Sequence, residues 1–187
     1  MILVYLLLVL LFLYSNLAGY QELRMKGGLQ LWQDFLTSLE SGIGEETLCR
    51  FAILTLLMIL CRHSKWKVPL VIFTSSLIFG LLHFINLIDQ SWSLTVYQFC
   101  FTTISGIFFA LIFLYTGRLW LAMVIHFAMD FASSFSEISA MNSTISLSDY
   151  QSIVVLALLM LVLTIWMMRG KRGKVMKTRA QLLITKK

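Results

Sequence analysis

The sequence predicts an all-α protein, a polytopic transmembrane helical bundle of about six spanning helices with a short interfacial amphipathic helix. Three observations favour this class: 59% of the 187 residues are hydrophobic, only 13% are charged, and the mean hydropathy is +0.85. A soluble domain is usually about half apolar and about a quarter charged. Since a water-soluble fold could not bury this much apolar surface, the bilayer is the expected solvent, and the length suits one membrane domain.

Apolar runs that approach the length of a membrane span recur along the chain. About 20 apolar residues cross the hydrocarbon core as a helix. Six segments meet or approach that length: 1–18, about 44–61, 68–88, 94–116, about 119–135 and 153–168. The first lacks the basic start of a signal peptide and has a long apolar stretch, so we expect residues 1–19 to be a retained transmembrane helix.

The remaining segments connect these spans. Residues 20–42 mix apolar and polar side chains in a pattern that suits an amphipathic helix at the membrane interface. Residues 43–168 are expected to form one membrane domain, followed by a basic tail over residues 169–187. The segment 133–149 is rich in serine and threonine and predicts a solvated loop.

Basic residues indicate how the chain is oriented in the membrane. Eight of the 15 lie in residues 169–187, and Arg62, Lys65, Lys67 and Arg118 lie in alternate connections between spans. Cytoplasmic connections are enriched in lysine and arginine. We therefore expect a multi-pass protein of the cell membrane with both termini in the cytoplasm. A basic tail after a span is typical of a membrane anchor, so nucleic acid is not an expected partner.

Ionisable side chains within the apolar segments are the candidate functional residues, because each costs at least about 2.5 kcal/mol at membrane depth. Glu45, Glu46 and Arg50 open the second segment. Glu46 and Arg50 share a helix face and are expected to pair, whereas Glu45 points about 100° away. That leaves Glu45 available as a general base. The alternative, that the acids favour a helix N-terminus, leaves the internal arginine unexplained.

Single histidines follow on two later segments. His83 lies four residues after Phe79, and Asn86 lies about one turn beyond it. Taken alone, such a histidine is more often a hydrogen-bonded packing residue. His126 and Asp130 are also four residues apart, so both face one side of a helix, where the carboxylate could orient the imidazole or a bound water. A structural histidine–aspartate pair is the alternative.

Together these residues resemble the motifs of the CPBP family, the CAAX proteases and bacteriocin-processing enzymes also called the Abi family. The family pattern is EExxxR, then FxxxH, then HxxxN or HxxxD. This chain has the three motifs in the same order: Glu45-Glu46-xxx-Arg50, Phe79-xxx-His83 and His126-xxx-Asp130. The resemblance covers about residues 35–135 and implies an intramembrane endopeptidase built as a helical bundle around a conical cavity.

The resemblance also implies catalytic roles. Glu45 and His83 would activate a water that attacks the scissile carbonyl, and His126 with Asp130 would stabilise the oxyanion. Asp130 stands where many members have asparagine, and an ionised carboxylate cannot donate to an oxyanion. Asp130 would therefore be protonated or act through His126. Supporting roles are expected for Glu46, Arg50, Phe79 and Asn86.

Metal dependence is a separate question for this site. The resemblance favours catalysis with no required cofactor. Zinc is the alternative, with Glu45, His83 and His126 as the ligands, because two histidines and a glutamate bind zinc in other hydrolases. The sequence has no HExxH motif, and these residues lie on separate segments.

Three function hypotheses follow. The first is a glutamate-dependent membrane protease acting on a hydrophobic peptide or membrane-associated protein, in bacteriocin or signal-peptide maturation or in self-immunity. The second is a non-catalytic bacteriocin-immunity or scaffold membrane protein, which would tolerate substitution of Glu45 and His83. The third is a small transporter or proton channel with a glutamate–histidine relay, which the absence of internal repeats disfavours.

Overall fold

A computed structural model describes residues 27–134 and 145–185 of the chain. Every regular element within these two ranges is helical, so the predicted all-α class is confirmed. The predicted first span, residues 1–18, lies outside the described residues. So does most of the predicted loop, residues 135–144.

The described elements follow one another with short connections. We number the α-helices in chain order as α1 (Gly28–Glu46), α2 (Leu54–Leu60), α3 (Lys67–Leu82), α4 (Trp92–Thr116), α5 (Leu119–Ser133), α6 (Leu147–Met168) and α7 (Gly170–Thr185). A π-helical segment, Thr47–Ile53, lies between α1 and α2, and a 3₁₀ segment, His83–Ile88, follows α3. The chain divides into two compact units. Of the described residues, the first unit holds 27–46 and 120–134, and the second holds 47–119 and 145–185.

Three of these helical stretches are long and apolar enough to cross a membrane, judged by length and composition: Lys67–Ile88, Trp92–Thr116 and Leu147–Met168. They correspond to the third, fourth and sixth segments predicted from the sequence. The weaker fifth segment is the shorter apolar helix α5. The second predicted segment, 44–61, is divided among the end of α1, the π-helical segment and α2. This segment carries three of the predicted site residues, Glu45, Glu46 and Arg50.

Helix α1 has a small and polar buried face. Ser38, Gly42 and Glu46 are buried at intervals of four residues, which is about one helical turn. Its large apolar side chains are exposed instead, at Leu29, Trp32, Leu36 and Ile43. A helix with polar groups inside and apolar groups outside suits contact with lipid. The helix predicted within residues 20–42 extends to Glu46, and its position at the interface stays a prediction.

In the first unit, α1 packs closely against α5. A Cβ atom on Gly42 would lie 2.9 Å from the backbone oxygen of Met123 and 2.9 Å from the backbone nitrogen of Phe127. Only glycine allows the two backbones to approach this closely. Phe35 adds edge-to-face ring contacts, with centroid distances of 5.2 Å to Phe127 and 5.8 Å to Phe131. These contacts fix the end of α1 beside the middle of α5.

In the second unit, α3 and α4 form the most extensive helix pair. Gly106 on α4 meets Ser76 on α3, where a Cβ on the glycine would lie 3.1 Å from the serine Cα. Gly80 on α3 faces the backbone oxygen of Phe99, 3.0 Å from the position of a Cβ. Small residues at such crossings allow close packing of apolar helices without a hydrophobic driving force.

The basic segment at the end of the chain is helical over Gly170–Thr185. This helix, α7, packs against α2, α4 and α6 within the second unit, and buries Gly173, Met176 and Ala180. The guanidinium of Arg172 lies over the ring of Trp166, 3.7 Å from its centroid, which is a cation–π contact. The predicted tail is thus a docked helix over these residues.

Candidate active site

Four predicted site residues meet in the first unit. Glu45 and Glu46 lie in the last turn of α1, and His126 and Asp130 lie one turn apart on α5. His126 Nδ1 is 3.2 Å from Glu46 Oε1. His126 Nε2 is 3.4 Å from Asp130 Oδ2 and 3.9 Å from Glu45 Oε2. The close approach at Gly42 therefore places carboxyl groups at both nitrogens of one imidazole.

Burial divides these four residues into two pairs. The Glu46 side chain is fully buried and that of His126 is 7% exposed, whereas Glu45 and Asp130 are 38% and 36% exposed. When Glu46 is ionised it can only accept, so His126 Nδ1 donates the hydrogen of that bond. Glu46 thereby fixes the orientation of the imidazole from inside. Glu45 and Asp130 are the members with the more exposed side chains.

A fifth residue of the first unit, Ser41, belongs to the same cluster. Its Oγ lies 3.1 Å from Glu45 Oε1 and 2.8 Å from Asp130 Oδ2. Ser41 belongs to none of the three sequence motifs. The only signal was its position four residues before Glu45, and its approach to Asp130 depends on the packing of α1 against α5.

Arg50 lies in the second unit, on the π-helical segment. Its side chain is fully buried, and its guanidinium carbon lies 4.8 Å from the ring centroid of Phe79 and 5.8 Å from that of Phe109. Aromatic faces attract a cation at such distances. π-Helical turns are rare and frequently mark functional sites. Phe79, for which a supporting role was expected, thus covers a buried cation.

His83 begins the 3₁₀ segment directly after α3. Its Nδ1 lies 2.9 Å from the backbone oxygen of Phe79, and its ring meets the Phe79 ring edge-on at a centroid distance of 5.0 Å. A carbonyl can only accept, so Nδ1 donates, and in the neutral imidazole Nε2 carries the lone pair. Asn86, on the same segment, donates from Nδ2 to Gln98 Oε1 at 2.9 Å. His83 and Arg50 therefore contact the same phenyl ring.

The eight predicted residues thus form two groups of four. Glu45, Glu46, His126 and Asp130 meet in the first unit, and Arg50, Phe79, His83 and Asn86 lie in the second. The predicted pairing of Glu46 with Arg50 and the shared role of Glu45 and His83 each join residues of different units. Both stay predictions.

The zinc alternative requires several metal-binding side chains gathered around one point. Among residues 27–134 and 145–185, no group of three or more His, Cys, Asp or Glu side chains is arranged to hold a metal ion. The candidate ligands Glu45 and His126 belong to the first unit, and His83 belongs to the second. The zinc alternative and the expectation of catalysis with no required cofactor both stay predictions.

These features define an α-helical membrane protein that holds an acid–imidazole cluster among apolar helices. The family model of type II CAAX prenyl endopeptidases, Rce1-like, matches residues 27–132. This match covers more than half of the chain and all eight predicted site residues, so the chain belongs to the Rce1-like family of type II CAAX prenyl endopeptidases. The resemblance to the CAAX proteases is thereby confirmed. No curated protein and no solved structure matches the chain.

Proposed function

We propose that this chain is a membrane-embedded, glutamate-dependent endopeptidase that hydrolyses a peptide bond in a hydrophobic peptide or membrane-associated protein. One observation carries the proposal. His126 has three carboxyl groups within 3.9 Å, those of Glu45, Glu46 and Asp130, in a chain that belongs to a protease family. Buried acids and an imidazole are costly among apolar helices unless they have a function.

In the proposed reaction, Glu45 acts as the general base. Its side chain is 38% exposed, although Oε2, which faces His126, is buried. The carboxylate accepts a proton from a water as the water oxygen bonds to the scissile carbonyl carbon. The resemblance assigns His83 to the same step, and its Nδ1 hydrogen bond to Phe79 supports this role by leaving a lone pair on Nε2. The proton taken by Glu45 then passes to the leaving amine as the C–N bond breaks.

The proposed oxyanion donor is His126 rather than Asp130. When His126 is protonated, Nδ1 donates to Glu46 and Nε2 carries a hydrogen that can stabilise the negative charge on the carbonyl oxygen. Asp130 Oδ2, 3.4 Å from Nε2, supports the protonated form. This answers the difficulty that an ionised aspartate has no hydrogen to donate, since Asp130 acts through the imidazole.

The test is a cleavage assay on the full chain reconstituted in liposomes. Two internally quenched probes would be compared: a peptide ending in a farnesylated cysteine followed by three residues, and the same hydrophobic peptide without the prenyl group. We expect one of them to be cleaved by the wild type, in the presence of a chelator as well as in its absence. Glu45→Gln and His83→Ala should lose at least about 100-fold in rate.

The matched control is Glu40→Gln, which removes an exposed carboxylate from the same helix. It should cleave like the wild type. Normal membrane insertion with no cleavage of either probe by the wild type would overturn the protease proposal. A host phenotype that survives Glu45→Gln and His83→Ala would indicate the non-catalytic immunity or scaffold function instead. Loss of cleavage only with the chelator would indicate zinc.

The proposed setting is the cell membrane, with both termini in the cytoplasm and a small hydrophobic peptide, such as a bacteriocin or signal peptide, as the substrate. Exposed cations on α7 support this orientation of the C-terminus: Lys171, Lys174, Lys177 and Arg179. A C-terminal fusion to alkaline phosphatase, which is active only outside the cytoplasm, should be inactive. An active fusion would place the C-terminus on the other side.

A further inference from the structure

Ser41 lies between two carboxyl groups that belong to different helices. Its Oγ is 2.8 Å from Asp130 Oδ2, 89 residues away in sequence, and 3.1 Å from Glu45 Oε1. The same two carboxyl groups are those that face His126 Nε2, at 3.4 Å and 3.9 Å. One hydroxyl thus joins the base of the proposed reaction to the carboxyl group that lies beside the oxyanion donor.

Two other described serines of this unit, Ser38 and Ser133, have hydroxyl groups that bond to the backbone of their own helix. Ser38 donates to the backbone oxygen of Asp34 at 2.7 Å, and Ser133 donates to that of Asp130 at 2.8 Å. Serine hydroxyls within helices often bond back to the preceding turn in this way. The Ser41 hydroxyl lies instead against two side chains of the polar cluster.

The hydrogen count of this contact has a chemical consequence. A serine hydroxyl carries one hydrogen and two lone pairs, and an ionised carboxyl group only accepts. Ser41 can therefore donate to only one of the two carboxyl groups. The second contact becomes a hydrogen bond when the other carboxyl group is protonated and donates to Oγ. Both contacts of Ser41 are thus hydrogen bonds when Glu45 and Asp130 together hold one proton.

We propose that Ser41 is a positioning residue, which holds the carboxyl groups of Glu45 and Asp130 in one hydrogen-bonded array beside His126. The array fixes the direction in which Glu45 faces the attacking water and the position of Asp130 at Nε2. This role of Ser41 rests on the proposed protease function. The array also has a place for the proton that Glu45 takes from water, because a protonated carboxyl group can donate to Ser41.

The experiment compares four proteins in the liposome assay: wild type, Ser41→Ala, Ser41→Thr and Ser38→Ala. Ser41→Ala should lower kcat about 10- to 100-fold and leave KM unchanged, because the hydroxyl positions Glu45 and Asp130 and does not bind the substrate. Ser41→Thr retains a hydroxyl at the same position and should restore most of the rate. Ser38→Ala is the matched control, since the Ser38 hydroxyl bonds to the backbone in the preceding turn, and this variant should cleave like the wild type.

The outcomes separate this inference from the function on which it rests. A wild type that cleaves neither probe contradicts the protease proposal itself. A wild type that cleaves, with Ser41→Ala equal to Ser38→Ala, overturns the role of Ser41 alone. Equal losses in Ser41→Ala and Ser41→Thr would also overturn it, because the hydroxyl would then not be the group that matters. A thermal unfolding curve of each variant in detergent shows whether a loss reflects folding.

Discussion

Gly42 meets the backbone of Phe127 so closely that a Cβ atom on the glycine would lie 2.9 Å from the Phe127 nitrogen. Gly42 comes one turn before Glu46, and Phe127 directly follows His126. The contact therefore determines how near the acids at the end of α1 come to the imidazole on α5. The 3.2 Å distance between Glu46 Oε1 and His126 Nδ1 depends on it.

Gly42→Ala is expected to separate α1 from α5. The added methyl group meets backbone atoms on both sides of the contact, so the helices must shift. Overpacking of this kind typically costs about 1–3 kcal/mol. We expect a lower midpoint of thermal unfolding in detergent and a reduced rate of peptide cleavage, because the carboxyl–imidazole distances lengthen.

Gly44→Ala is the matched control on the same helix. A Cβ at Gly44 has nothing within 4 Å, and alanine is favoured over glycine inside a helix by roughly 0.5–1 kcal/mol. This variant should unfold at the same or a higher temperature and cleave normally. If Gly42→Ala behaved like Gly44→Ala, the close approach would not limit the packing of the two helices.

The three glutamates near the end of α1 should respond differently to loss of charge. Glu45→Gln should abolish measurable turnover because an amide cannot accept the proton of the attacking water. Glu46→Gln should retain the fold, since the amide oxygen still accepts from His126 Nδ1, but should lower kcat because the imidazolium loses a fully buried negative charge. Glu40→Gln should change neither the fold nor kcat. Cleavage kinetics and unfolding midpoints of the three variants would check this order.

A different order of cleavage rates among these variants would change the roles assigned to Glu45 and Glu46. If Glu46→Gln abolished turnover while Glu45→Gln retained it, the base would be the buried glutamate and not the exposed one. If all three variants cleaved like the wild type, neither carboxyl group would take part in the chemistry.

Local patterns in the sequence were sufficient to predict the all-α membrane class and several of the helices. A run of about 20 apolar residues is a local property, and the predicted segments 68–88, 94–116 and 153–168 correspond to helices of membrane length. The spacing of His126 and Asp130 is also local. Residues four apart on a helix lie on one face, and the structure has Nε2 of the histidine 3.4 Å from the aspartate Oδ2.

Local patterns could not predict contacts between helices that are distant in sequence. The i, i+4 rule offered Glu46 only Arg50 as a partner, whereas the structure adds His126, 80 residues away. The spacing of Ser41 from Glu45 was its only signal in the sequence, because its contact with Asp130 spans 89 residues. Residues 170–185 were predicted as a basic tail because of their composition. The small and apolar face by which α7 packs was not predicted; it consists of Gly173, Met176 and Ala180.

Phe79 is expected to stabilise the second unit through two polar neighbours. Phe79→Leu removes the ring that lies 4.8 Å from the Arg50 guanidinium and the edge contact with His83. A cation–π contact contributes about 0.5–2 kcal/mol, depending on desolvation. We expect a lower unfolding midpoint and a reduced cleavage rate. Phe73→Leu, on the same helix but at an exposed position, is the control and should have little effect in detergent. Equal midpoints for the two variants would contradict the role of the ring.

Substitutions of Asp130 test whether its negative charge or its hydrogen bonds are needed for cleavage. Asp130→Asn removes the charge beside His126 Nε2 but keeps an oxygen that accepts from Ser41 Oγ, now 2.8 Å from Asp130 Oδ2. Its amide also brings a hydrogen that can be donated to the oxyanion directly. We therefore expect Asp130→Asn to retain most of the cleavage rate, whereas Asp130→Ala loses at least about tenfold because both contacts disappear. Equal and large losses in the two variants would mean that the negative charge itself is needed, and that no amide can replace the imidazole as the oxyanion donor.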